Sequence, residues 1–160
     1  GKEWSIVNLA RLLPMLFAVY YFGSKKKIWG AVIPIICMLL FVIHPVGQQV
    51  WFFSLYWLIP VLGKLLPKKF PGQLFLKSYG ATFTAHAVGG ALWIYTVPST
   101  PGMWLSLIPV VAVERFWFGL GIAGSYVVFN TTLDYVVEKW KVPAKILMVE
   151  RRYSLRRLIN

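Results

Sequence analysis

The sequence predicts an all-α protein: a polytopic bundle of five to six transmembrane spans, followed by a basic C-terminal tail helix. Three observations carry that expectation. The 160 residues are 58% hydrophobic and only 14% charged, whereas soluble domains carry about 25% charged residues. Apolar runs close to the ~20 residues that cross a bilayer recur along the chain, without the short alternating segments of a transmembrane barrel. The basic residues behind the net charge of +12 gather in short loops and the tail, where they orient a membrane protein and meet anionic head groups. That placement argues against a nucleic-acid partner, which the charge alone would suggest in a soluble chain.

The first span is expected at about Ser5 to Phe22, with Arg11 and Pro14 near its start. No convincing cleavage site follows it, so it reads as a span rather than a signal peptide. Gly23 to Lys27 is a sharp basic turn, and a second span runs from about Ile28 to Ile43 with Pro34 inside it. The uncharged turn His44 to Gln49 leads to a third span from about Val50 to Leu62, rich in aromatic residues. Lys64 to Gly72 is a second basic loop, the fourth span covers about Leu74 to Val97, and Pro98 to Gly102 is a second uncharged loop.

Residues 103–137 exceed one straight crossing. Pro109, the pair Glu114 and Arg115, and glycines 119, 121 and 124 each offer a break, so either two short helices or one broken helix is expected there. Residues 1–137 then form the transmembrane bundle and 138–160 a basic cytoplasmic tail. In that tail Pro143 opens a helix, and Ile146, Val149 and Tyr153 alternate with arginines as in a chain lying on a membrane surface. With the basic loops and tail on the cytoplasmic side, the chain is a multi-pass cell-membrane protein with its C-terminus in the cytoplasm, and residues 103–137 cross an odd number of times.

The segment Ser78 to Trp93 stands out because small and hydroxyl-bearing residues crowd an otherwise apolar run. Ala81, Ala85 and Gly89 form a smooth stripe that lets another helix approach closely. Thr82, His86 and Trp93 lie on a neighbouring stripe. Ionisable groups at such depth usually face a cavity or a partner. The expected ligand-binding residues are therefore Thr82, His86, Trp93, Glu114, Arg115 and Trp57, the two tryptophans stacking on a planar ligand.

The plainer readings are a neutral His86 bonded within the bundle, a Glu114–Arg115 pair marking the membrane boundary, and interfacial tryptophans. Neighbours on a helix point about 100° apart, so separate partners are expected for the pair: Arg11 for Glu114 and Asp134 for Arg115. Asn130, Thr131 and Asp134 share one face, which reads as a boundary position. Cys37 is the single cysteine, so no intramolecular disulfide or cysteine metal cluster forms. No phosphate loop, zinc motif or nucleophile elbow is present, and no cofactor, metal or catalytic residue is assigned.

The length and hydropathy, the stripe Ala81, Ala85, Gly89, and the Pro109 to Arg115 run before the final span together resemble the substrate-binding S-components of energy-coupling-factor vitamin transporters. The resemblance extends over most of the chain. It implies a compact helical bundle holding a small molecule near the outer face and docking sideways, through small-residue helix faces, onto other membrane subunits of a transporter. Active transport would then depend on a separate ATPase. Two further readings stand beside it. One is an intramembrane enzyme acting on a lipid-like substrate, with His86 as base and Glu114 or Asp134 as acid or metal ligand. The other is a non-catalytic membrane scaffold.

Overall fold

The computed structural model describes residues 12–158 apart from 25, 68, 69, 71 and 144. Every regular element among them is helical. In order they are α1 (Leu13–Gly23), α2 (Lys27–Ile43), α3 (Pro45–Gln49), a 3-10 helix (Trp51–Trp57) running into α4 (Leu58–Leu65), α5 (Gln73–Thr96), α6 (Pro101–Trp140), a 3-10 turn (Arg151–Tyr153) and α7 (Leu155–Leu158). The chain divides into two compact units, Gly1–Gly119 and Leu120–Asn160.

In the first unit α5 is the central helix, packed most extensively against α1 and also against α2, α4 and the 3-10 helix. Its sequence explains that position. Ser78, Gly80, Ala81, Thr82 and Thr84 are all buried, and the hydroxyls turn back onto their own helix. Ser78 donates to the Leu74 carbonyl at 2.9 Å, Thr82 to Tyr79 at 2.7 Å and Thr84 to Gly80 at 2.8 Å. Each hydroxyl therefore needs no partner elsewhere and is buried without the cost of an unmade hydrogen bond.

The small residues bring α1 close. A Cβ on Gly80 would collide with the Tyr21 ring, and one on Gly89 would touch Pro14 at 3.7 Å. Tyr21, itself buried, donates its hydroxyl to the Pro60 carbonyl at 2.8 Å. Lys64 closes the far end of α1, donating from Nζ to the carbonyls of Tyr21 at 2.7 Å and Ser24 at 2.9 Å. A cation there satisfies terminal carbonyls and complements the helix dipole. Tyr21→Phe should cost about 0.5–1.5 kcal/mol, because it removes one buried hydrogen bond while the Pro60 carbonyl keeps its place in the helix ladder and the packing barely changes. Denaturant unfolding of the purified variant measures this, and a cost near zero would mean that the bond contributes nothing to stability.

The large apolar side chains face outward instead. Met15, Leu16 and Val19 on α1, Ile36, Leu39 and Ile43 on α2, and Val113 and Trp117 on α6 are all exposed. Bulky apolar side chains thus cover much of the surface of these helices, while Tyr21, Phe41, Phe53, Trp57, Phe83 and Trp104 are buried inside.

Among the described residues α6 alone is both long and apolar enough to cross a membrane; α1, α2 and the Trp51–Leu65 segment are apolar but shorter. α5 has the length, 24 residues, but its glycines and hydroxyls dilute its apolarity.

The expected break in residues 103–137 is absent: α6 is one helix of 40 residues with Pro109 inside it. A proline removes a single backbone donor, whereas a full break would strand several groups at each new helix end. Gly121 and Gly124 have open space at their Cβ positions and interrupt nothing. The expected third span begins instead as a 3-10 helix. Pro60 disfavours a regular α-turn over the preceding residues, since its ring crowds the carbonyl four positions back. The His44 to Gln49 turn contains the short helix α3, capped by His44 Nδ1 accepting from the Val46 amide at 3.3 Å. Arg11, expected opposite Glu114, lies outside the described residues.

In the second unit the end of α6 grips the tail. The Asn130 Oδ1 accepts from the Glu150 amide at 2.9 Å, and the Thr131 hydroxyl from the Leu155 amide at 3.0 Å. Asp134, fully buried, accepts from the Ser154 hydroxyl at 2.9 Å and lies 3.4 Å from Arg151 Nε. Glu138 pairs with Arg156 at 2.8 Å.

The tail is therefore not the continuous helix expected. Residues 145–148 form turns, and Lys141 and Met148 adopt positive φ angles of 52° and 50°, a region that does not continue a right-handed helix. Amides that a helix would keep are instead taken by the Asn130 and Thr131 side chains. Ile146 is exposed, whereas Val149 and Tyr153 are half-buried.

Candidate functional site

The first unit has an aromatic centre built where α2, the 3-10 helix, α5 and the start of α6 meet. Phe41 stands edge-on to both Trp57 and Trp104, with centroids 5.1 and 4.9 Å apart. Phe53 packs edge-on to Trp104 at 5.0 Å. Edge-to-face contacts at these distances add to the burial of large rings.

Trp57, completely buried, reaches across to α5 and donates its indole N–H to His86 Nδ1 at 3.0 Å. Gly90 makes room for that indole, since a Cβ there would lie 2.8 Å from Trp57 Cζ2. An accepting Nδ1 fixes His86 as the neutral imidazole with its proton on Nε2. The ring is held by aromatic neighbours, Phe53 at 5.6 Å and Phe83 at 6.2 Å.

On one side of this centre an open groove of about 360 Å³ is lined by Phe52, Phe53, Leu55, Tyr56, Ile59 and Ile108. Its walls are fixed. Tyr56 stacks on Phe83 with centroids 5.5 Å apart and donates its hydroxyl to the Ile108 carbonyl at 3.0 Å, tying the 3-10 helix to α6. That bond consumes the only side-chain donor in the lining and leaves the groove apolar.

Arg115 lies two turns beyond Ile108 on the same face of α6. Its side chain is 21% exposed. Its Nε is buried and, among the described residues, has no hydrogen-bond partner. The guanidinium lies over the Phe118 ring at 5.2 Å.

Glu114 contacts Arg115 after all, at 3.7 Å from Nη2, with a side chain 50% exposed. The separate partners expected for the two residues are thus corrected: long flexible side chains bend toward each other although their Cβ atoms diverge. The contact is too long for a hydrogen bond and leaves Nε unmatched. Asp134, expected opposite Arg115, is instead engaged by Ser154 and Arg151.

Of the residues singled out from the sequence, His86 and Trp57 touch, and Glu114 touches Arg115. Thr82 is buried with its hydroxyl turned to its own helix, and Trp93 is 48% exposed, two turns along α5 from His86. None of the six expected ligand-binding residues lines the groove. Phe53, Tyr56 and Ile108 were not singled out as ligand contacts, and no local signal marks them. They converge only because the 3-10 segment re-aims the aromatic run toward α6. Among the described residues no cluster of three or more His, Cys, Asp or Glu side chains is placed to hold a metal ion. Comparison with family models, curated proteins and solved structures returns no match.

Proposed function

We propose that the protein is an integral, multi-pass membrane component that binds a small molecule between its helices, in the manner of the S-component-like role expected from its sequence. The groove over Phe53, Tyr56 and Ile108, beside the Trp57–His86 pair, is the observation that carries this reading. Small-molecule sites are concave, mostly apolar and largely pre-formed, and this groove has its walls already bonded in place.

A bilayer setting is supported by the outward-facing bulky side chains of α1, α2 and α6, since exposed apolar surface on that scale is covered by lipid or by partners. α6, being uninterrupted, crosses once in this arrangement, which returns the tail to the cytoplasm with the two basic loops. Any coupling to ATP hydrolysis would come from other membrane subunits.

Native mass spectrometry of gently purified protein tests the binding reading. A small molecule should accompany the wild-type chain and be lost from Ile108→Trp, which fills the groove. If folded wild-type protein never carries a ligand, while Ala85→Leu abolishes its association with another membrane protein, the scaffold reading replaces this one. Topology is checked separately by labelling single cysteines in a Cys37→Ala background. Positions 48 and 99 should react from outside and 145 only after permeabilisation. Equal external reactivity at 145 would overturn the cytoplasmic tail.

A further inference from the structure

We infer that the site takes a small amphipathic carboxylate: its apolar body in the groove over Phe53 and Tyr56, its anionic end on the guanidinium of Arg115. The inference rests on the binding reading above and adds the chemistry of the ligand.

Arg115 is the observation that carries it. A guanidinium offers five N–H donors in a fixed fork suited to a carboxylate. The buried Nε here has, among the described residues, no hydrogen-bond partner. Among the described residues the carboxylate within reach, Glu114, stands 3.7 Å away and half in solvent. A buried donor left unmade is costly, and the partly exposed guanidinium, by turning toward an incoming anion, would satisfy it.

The neighbouring charges do not supply the match. His86 is neutral while its Nδ1 accepts from Trp57, and Phe118 offers only its ring face. The groove meanwhile offers an approaching ligand no free side-chain donor, because Tyr56 already gives its hydroxyl to Ile108. A wholly polar anion would gain nothing from those walls, and a wholly apolar molecule would leave Arg115 unmatched. Only a molecule with both characters uses the two features that Ile108 and Arg115 place on one face of α6.

The groove is open on one side, so its 360 Å³ gauges the part of a ligand it covers, on the order of a dozen non-hydrogen atoms at about 30 Å³ for each water-sized group. Competition by a phospholipid separates a free small molecule from a lipid.

The test uses the full chain in detergent micelles with naphthoate, an aromatic carboxylate of about the right size, and its neutral amide naphthamide. Binding is read by quenching of tryptophan fluorescence. Naphthoate should bind at least about tenfold more tightly than naphthamide, the difference expected from one charged hydrogen bond. Arg115→Gln should remove that difference by weakening naphthoate alone, and Arg115→Lys should restore part of it. Glu114→Gln, at a half-exposed position where folding is not at risk, should tighten naphthoate by freeing the guanidinium.

Equal binding of both probes, unchanged in Arg115→Gln and Glu114→Gln, would overturn the anionic class while leaving an apolar small-molecule site standing. Displacement of naphthoate by phosphatidylglycerol at equimolar concentration would overturn the free-molecule assignment. Absence of binding by either probe, together with a ligand-free wild-type protein in native mass spectrometry, would remove both this inference and the reading beneath it.

Discussion

Trp57→Ala is expected to lower the unfolding free energy of the protein by about 3–5 kcal/mol, the range for emptying a buried aromatic site. The indole is completely buried and packs edge-on against Phe41 at 5.1 Å and Phe53 at 6.5 Å. It also lies on α5 where Gly90 has no side chain. Few neighbours can move in to refill the space, because Phe41 and Phe53 are themselves held by Trp104.

Trp57→Phe separates packing from hydrogen bonding. It keeps a ring in the cavity but leaves His86 Nδ1 without its donor, which should cost about 1–3 kcal/mol. Denaturant unfolding in detergent, followed by circular dichroism, reads both. A loss below about 1 kcal/mol for the alanine variant would show that the site collapses easily, and the aromatic centre could not then be what holds the groove walls.

Much of this arrangement is legible in the amino-acid sequence. Small residues spaced along Ser78 to Trp93 marked a helix that others approach closely, and α5 is the central helix of its unit. The stripe is used as its chemistry suggests, with Gly89 facing Pro14. His86 was legible as a polar group needing an internal partner. Trp57 was legible as an important aromatic, but as a stacking surface rather than a hydrogen-bond donor.

What the sequence hid depends on direction and distance. The run Trp51 to Trp57 reads equally as an interfacial belt or a wall, and only its 3-10 winding turns Phe53 and Tyr56 toward α6. Lys64 looked like one more loop cation, yet it caps α1 through carbonyls roughly forty positions away in sequence. Pro109 read as a break because a proline's local cost is plain in sequence, whereas the cost of two new helix ends is not.

The second large effect is expected at Asp134. Asp134→Ala should free the tail from α6, raising hydrogen exchange at the Glu150 and Leu155 amides by about thirtyfold or more. That corresponds to the ~2–3 kcal/mol of a buried hydrogen bond to a charged group. Asp134 is buried within a row that also includes Asn130, Thr131 and Glu138, and its bond to Ser154 joins two buried side chains. Removing the carboxylate strands the Ser154 hydroxyl and leaves Arg151 without that counter-charge.

Asp134→Asn tells bond from charge. The amide oxygen still accepts from Ser154, and the pairing with Arg151 is weakened. Because Arg151 is 53% exposed, that pairing should contribute no more than about 0–1 kcal/mol. The asparagine variant should therefore stay close to wild type while the alanine variant opens. If the two opened equally, the charge would be the anchor. If neither opened, Asn130 and Thr131 alone would hold the tail, through the two amides they accept. The opening should be local, since these contacts all lie within residues 120–160, and exchange in α5 should not change.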